Sequence, residues 1–253
     1  ILIDQEGGRV SRLSNLIESS LFTSEYFGKL YKYNKNKFAN YYKVYIDQVS
    51  YLLNEIGINI NTVPVLDLKK YKSNDIIGDR SYSSLPKNVS IIGDFCIEWF
   101  KKNRIGTVIK HIPGHGSTKI DSHKKTPIVQ FKYKHLLKND FSTFKNKKSF
   151  FAMTAHVIYK NIDSKNTATH SSKIIKLIRK KIGFKNLIIS DDISMKALES
   201  NIKTNTLRAI AAGCNIILHC NANYVEMTTV AENTPLVDAF IIKKTSQFYN
   251  FLS

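Results

Sequence analysis

Six short, nearly unbroken apolar runs punctuate the chain: Ile1–Ile3, Ile60–Leu66, Gly106–Ile109, Phe150–Thr154, Leu187–Ile189 and Cys214–Leu218. A strand with one wet face alternates apolar and polar residues, whereas a strand buried on both faces reads as a continuous apolar run, the signature of a parallel sheet. Between these runs the apolar positions return at helical spacing, notably in Tyr42–Ile56, Val89–Lys102, Lys134–Phe144, Ser172–Ile182 and Met195–Ala212. Strand and helix in repeated alternation predict a parallel sheet flanked by helices.

The residues just past the strand ends separate an open sheet from a closed barrel. Polar, chemically capable side chains stand after nearly every run: Asp4-Gln5-Glu6, Asp67, Lys110-His111, His156, Asp191-Asp192 and His219. A barrel gathers the C-terminal ends of all its strands at one mouth, while an open sheet concentrates its site at one switch point. The expected fold is therefore α/β, a (β/α)8 barrel of the TIM type. Eight strands are required and six are legible, and the chain opens inside a strand. Residues 1–253 are accordingly expected to form a single barrel domain lacking about two N-terminal β/α units. With only 5 prolines and no linker-like tract, no boundary divides it.

Composition narrows the function classes. The net charge of +18 would suit a nucleic-acid binder, but the lysines are scattered, as in Lys32–Lys37 and Lys145–Lys148, not massed in one arm. A chain-wide Lys, Asn and Ile bias accounts for them, and no nucleic-acid partner is expected. No run approaches the roughly 18 apolar residues of a membrane span, and the first residues lack the basic and small-residue pattern of a signal peptide. Three cysteines, Cys96, Cys214 and Cys220, are odd in number and show no CxxC spacing, which suits reduced thiols in a cytoplasmic protein. A monomer without cofactor is the default expectation.

The densest chemistry lies in Lys110-His-Ile-Pro-Gly-His-Gly-Ser-Thr-Lys-Ile-Asp-Ser-His123. Its glycines and proline exclude a long helix, so it forms a shaped loop after a strand. Asp121 and His123 are two apart, close enough for the carboxylate to orient the imidazole and raise its basicity. The histidines can alternatively brace the loop, or His111, His115, Asp121 and His123 can serve as ligands of a divalent metal, although no helical HxxxH or HExxH frame is present. The second focus is Leu187–Met195, an apolar strand ending in Asp191-Asp192 before a helical segment. Successive side chains on an extended strand point apart, so one acid faces a given pocket and the other is free to cap.

Asp4-Gln-Glu-Gly-Gly-Arg-Val-Ser-Arg12, Pro64–Asp67, Gly78–Ser83, Lys110–Gly116 with Asp121–His123, Ala155–Tyr159 and Ser190–Met195 occur in this order with characteristic gaps. Together they resemble the successive signatures of NagZ-type family 3 glycoside hydrolases, which are β-N-acetylglucosaminidases (β-N-acetylhexosaminidases). The resemblance implies that Asp191 is the nucleophile and His123 the acid/base, assisted by Asp121, while Asp192 has a structural duty. It further implies that Asp4, Arg12, Arg80, Lys110 and His111 bind a terminal N-acetylglucosamine. The implied reaction is double displacement with retention on 1,6-anhydro-muropeptides in peptidoglycan recycling. A histidine acid/base suits neutral pH, because imidazole titrates there without deep burial. The family's barrels carry a strand, a helix and a further strand ahead of the Asp4 motif. Transfer to phosphate instead of water, a metal-dependent barrel hydrolase and an inactive truncated remnant are the competing readings.

Overall fold

The computed structural model describes residues 1–70, 76–118 and 125–253. In chain order the elements are β1 (Leu2–Ile3), α1 (Ser24–Tyr33), α2 (Lys35–Glu55), β2 (Ile60–Asn61), α3 (Pro86–Lys102), β3 (Gly106–Ile112), β4 (Ile128–Val129) and α4 (Tyr133–Lys138). Next come β5 (Phe151–Thr154), β6 (Ile158–Tyr159), α5 (Ser172–Leu177), β7 (Leu187–Ile189), α6 (Ile202–Ala212), α7 (Tyr224–Glu232) and α8 (Ala239–Leu252).

The main sheet runs β1-β2-β3-β5-β7, every pair parallel. A parallel bridge from Ile189 to Ile216 sets the segment 214–218 beside β7. All six apolar runs of the sequence thus stand side by side in chain order. A doubly wound sheet reverses its order at a switch point, and this one does not, so it is the singly wound wall of an α/β barrel. Strands β4 and β6 form a separate parallel pair.

Alternation along the strands divides the core in two. Ile109, Ala152 and Ile188 point outward and join Val49, Leu53, Ile97, Phe100, Ile174 and Ile178 in one cluster beneath the helices. Val108, Phe151, Met153, Leu187 and Ile189 point inward, with Leu2, Ile60, Ile216 and Leu218 beside them. The inward face is covered by α8, whose Phe248 is 6% exposed and meets the Phe151 ring edge-on at 5.1 Å. Burial of one such aromatic stabilises by about 1.5–3 kcal/mol. The Asp238 carboxylate caps α8 by accepting from the Ile241 amide.

Several boundaries differ from those the pattern suggests. The run Ile60–Leu66 keeps regular pairing only at Ile60–Asn61, with a further bridge from Val65 to Lys110. Pro64, which has no amide hydrogen to donate, stands between. Conversely β3 continues past Ile109 to Ile112, so Lys110 and His111 belong to a strand end. The helical reading of Lys134–Phe144 breaks at Asn139 into α4 and a 3₁₀ turn over Asp140–Phe144. In Met195–Ala212 the helix begins only at Ile202, where the Asn201 side chain accepts from Thr204 N. Helices α1, α7 and α8 fall outside the periodic segments picked from the sequence.

Candidate active site

The inward alternation that builds the core also builds the site. Continuing two residues beyond Leu2, Ile60, Val108 and Ile189 brings Asp4, Thr62, Lys110 and Asp191 to the same inner face, at the C-terminal ends of their strands. The pairing of β3 with β5 shifts register between Ile109 and Ile112. At this irregularity the adjacent Lys110 and His111 both line one cavity, where strict alternation would send them to opposite faces. That cavity, about 280 Å³, is bounded by Asp4, Glu6, Arg12, Arg80, Lys110, His111, His115, Asp191 and Asp192, with Met153, Met195, Leu218 and Cys220 among its less polar walls. Its size suits one sugar ring, just under the roughly 300–1,000 Å³ of pockets for larger ligands.

On the β1–β3 side the charges are tightly paired. The buried Lys110 ammonium donates to Asp4 Oδ1 at 2.8 Å and to Thr62 Oγ1 at 2.8 Å, and it meets Glu6 Oε1 at 2.6 Å. Its three N–H groups are thereby engaged. Arg80 clamps Glu6 through Nε and Nη2, both at 2.8 Å, in a bidentate fork. Burial alone would raise both acids, but Lys110 and Arg80 outweigh it and hold Glu6 at about 2. For Asp4 the same contest between burial and Lys110, with help from Thr62 and Arg12, ends well below the usual carboxylate range. Both remain ionised at neutral pH. Arg12 differs from Arg80: it is exposed, and among the described residues its guanidinium forms no ion pair or hydrogen bond. Its backbone is held by Gln5, whose Oε1 accepts from Arg12 N and Leu13 N.

Asp67, fully buried after β2, organises the histidines. Its Oδ2 lies 2.7 Å from His111 Nδ1 and its Oδ1 accepts from the His115 amide. Burial opposes ionisation of Asp67, yet His111 and His115 bring it below the ordinary value. A carboxylate only accepts, so His111 carries its proton on Nδ1 and presents Nε2 to the cavity. His115 is pushed down to about 4 by burial and by His111, against the pull of Asp67.

On the β7 side Asp191 stands apart. Among the described residues its carboxylate receives one hydrogen bond, from Asp192 N at 2.9 Å, and no cation lies within ion-pair distance. Burial raises it, while His156, His111 and Lys110 act at longer range to keep it ionised. Asp192 is already engaged: its carboxylate accepts from Ser194 N at 3.0 Å, Ser194 Oγ at 2.8 Å and Cys220 N at 3.3 Å, capping the turn beyond it. His156 braces this turn. It is wholly buried, and burial lowers it, so the ring is neutral, with Nδ1 on Thr169 Oγ1 and Nε2 on the Asp192 carbonyl.

Of the residues singled out from sequence, Asp4, Arg12, Arg80, Lys110, His111 and Asp191 share the cavity; Asp121 and His123 lie outside the described residues. Glu6, Thr62, Asp67 and His156 were not among the site residues picked from sequence. Glu6 carried a signal, since it is two places beyond Asp4 and so returns to the same side of an extended chain. The metal reading needed Asp121 and His123, and no group of three or more metal-ligating side chains occurs among the described residues. A larger groove of about 670 Å³ lies along Lys160–Lys173 and Arg208. Its carboxylate, Asp163, is already engaged by Ser171 and Asn166.

Residues 1–246 match the glycosyl hydrolase family 3 N-terminal domain. A β-hexosaminidase of Nitrosomonas eutropha is 32% identical over 231 residues, covering 87% of this chain. One of Methylobacillus flagellatus is 29% identical over 226 residues, also 87% of this chain. The chain spans 64% of the length of each. Among solved structures, a family 3 β-N-acetylglucosaminidase from a Paenibacillus species superposes with a TM-score of 0.85 at 26% identity, covering 99% of this chain and 49% of that one. NagZ from Neisseria gonorrhoeae, solved in complex with a zinc ion, gives 0.81 at 27% identity over 98% of this chain and 72% of that one.

Proposed function

The chain belongs to glycosyl hydrolase family 3, and from that premise we propose that it is a retaining exo-β-N-acetylglucosaminidase. The observation that carries the reading is the Asp191 carboxylate, ionised and without a counter-ion among the described residues, facing a sugar-sized cavity in which Asp4 and Glu6 are tied to cations and Asp192 is taken up by Ser194. A nucleophile must keep its lone pairs free of strong ion pairs, whereas a binding group profits from being fixed.

In the proposed reaction the hydroxyls of a terminal N-acetylglucosamine donate to Asp4, held in place by Lys110, and to His111 Nε2, and accept from Arg12 and the remaining N–H groups of Arg80. Asp191 attacks the anomeric carbon while His123, oriented by Asp121, protonates the departing oxygen. The glycosyl-enzyme is then opened by water that neutral His123 deprotonates, with net retention. The names of the similar proteins, β-hexosaminidase and β-N-acetylglucosaminidase, support this sugar. The substrate we propose is the N-acetylglucosaminyl unit of 1,6-anhydro-muropeptides during peptidoglycan recycling in the cytoplasm, a compartment where Cys96, Cys214 and Cys220 stay unpaired thiols.

Release of 4-nitrophenol from its β-N-acetylglucosaminide tests the activity, and proton NMR of the first product tests the stereochemistry. Turnover that yields the β-anomer and disappears in Asp191→Ala agrees with the proposal; the α-anomer as first product, or full activity in Asp191→Ala, rejects it.

A further inference from the structure

His156 is wholly buried, is not among the residues lining the cavity, and has no part in the reaction proposed above. Its place follows from strand register. β5 and β7 pair in parallel at Phe151 with Leu187, Ala152 with Ile188 and Met153 with Ile189. Carried beyond the strand ends, the same register sets His156 opposite Asp192. There the imidazole Nε2 lies 2.9 Å from the Asp192 carbonyl oxygen.

A carbonyl only accepts, so Nε2 carries the ring proton and Nδ1 is left to accept. The donor it needs is Thr169 Oγ1, at 2.7 Å. With its proton so directed, Thr169 accepts in turn from Thr154 Oγ1 at 2.8 Å. The Ala155 carbonyl, 3.4 Å from Thr169 Oγ1, is the more distant target for that proton. Thr154 and Thr169 are as fully buried as His156. Hydrogen bonds therefore run in one direction, from Thr154 through Thr169 and His156 to the peptide group after Asp192, and both ends fix the histidine tautomer.

What this chain holds is the seat of Asp191. The Asp192 amide makes the hydrogen bond to Asp191 Oδ1, so a shift of residue 192 moves the neighbouring carboxylate with it. The far edge of the same seat is gripped by the segment beside β7: Ser190 Oγ accepts from Leu218 N at 2.9 Å, and Asp192 Oδ1 from Cys220 N at 3.3 Å. His156 grips the near edge from β5. An apolar side chain in its place would avoid the desolvation of a buried imidazole. It would also leave the Asp192 carbonyl with Met195 N as its one donor, at 3.2 Å. We propose that His156 is a positioning residue of the glycosidase reaction: it fixes the Asp192 backbone, and through it the direction from which the Asp191 carboxylate meets the anomeric carbon. This inference rests on the activity proposed above and on Asp191 as its nucleophile.

The test is steady-state kinetics of the full chain on 4-nitrophenyl β-N-acetylglucosaminide, with circular dichroism to give the folded fraction of each variant. His156→Leu should lower kcat about 100-fold, the scale set by an ångström of misplacement, with KM within about 2-fold of native because the sugar-binding wall on β1–β3 is untouched. Glutamine carries an N–H donor as far from Cβ as Nε2 is, and His156→Gln should recover about 10-fold of that loss, the value of one good hydrogen bond. Thr169→Val, which removes the donor to Nδ1 at nearly equal volume, should lower kcat about 5-fold. It decides the matter where His156→Leu does not fold, and native kcat in Thr169→Val then overturns the proposal. A loss of activity that only follows the folded fraction, a KM that rises in step with the fall in kcat, or a glutamine variant no better than leucine overturns the role of His156 while leaving the glycosidase intact. Absence of turnover by the native chain rejects the glycosidase reading, and the role of His156 with it.

Discussion

The two walls of the cavity are built on opposite principles. On the β1–β3 side Asp4, Glu6, Lys110 and Arg80 form a closed set in which each charge already has a protein partner. On the β7 side Asp191 has one amide hydrogen bond and no cation among the described residues, and Arg12, which also lines the cavity, likewise forms no ion pair or hydrogen bond among them. Both walls are ionised at neutral pH, so charge does not distinguish them. Prior commitment does: groups that must hold a substrate in one place are fixed by their neighbours, and the group that must form a bond is left available. A sequence shows the charges of both walls alike and says nothing about which are spent.

The sharpest break of this contrast is Asp191→Asn. It should lower kcat/KM by on the order of 10⁵-fold, as removal of a nucleophile does, with little change in thermal stability because no ion pair is lost. A variant that also unfolds would place Asp191 with the structural charges instead.

Lys110→Met should do the reverse in kind. It leaves the half-buried Asp4 without its cation and the buried Glu6 with Arg80 alone, a loss of about 1–3 kcal/mol, below the about 3–5 kcal/mol of a fully broken buried pair. Chemical denaturation should register that loss, and a stability equal to the native value would show that the paired wall is not a structural unit.

Acid should expose the buried groups next. His115 and His170 are held down to about 4 by burial, reinforced by His111 for the first and by Arg208 for the second, against about 6.5 when unfolded. Above pH 6.5 they are neutral in both states. As pH falls from about 6.5 to 4 the unfolded chain takes up protons that the folded one refuses, so stability falls through this window, by on the order of 2–3 kcal/mol for each histidine. Glu6, held at about 2, extends the decline below pH 4.5. Urea midpoints at pH 7.5, 5.5 and 4.5 should decrease in that order; a rise toward acid contradicts the buried, neutral histidines.

Arg12→Met carries the smallest effect. With no ion pair or hydrogen bond to that guanidinium among the described residues, KM should rise about 10-fold, the value of one charge-assisted hydrogen bond, while stability and kcat hold. A fall in stability instead would mean that Arg12 too is already committed.

The barrel wall was legible in the sequence because its signal is local. Leu187, Ile189 and Asp191 lie two apart, and that period alone sends an acid to the mouth of an apolar strand. Likewise the six ordered motifs, from Asp4 to Met195, need no contact map to be read. What stayed hidden depends on distant residues meeting. Glu6 finds Arg80 and Lys110, Asp67 finds His111, and His156 finds Thr169 and the Asp192 carbonyl, none of which a spacing rule predicts. The inward face of the sheet is covered by Phe248 of α8, whose meeting with Phe151 joins residues far apart in the chain.

The proposed mechanism turns on Asp191 forming a covalent bond to the sugar. Incubation with a 5-fluoro-N-acetylglucosaminyl fluoride, which forms the glycosyl-enzyme faster than water releases it, followed by peptide mass spectrometry, examines that bond itself. With Asp191 as nucleophile, one adduct of the fluorosugar mass should appear, mapped to Asp191. An adduct on Asp192 or Asp4, or turnover of the reagent with no adduct on the chain, would overturn that assignment.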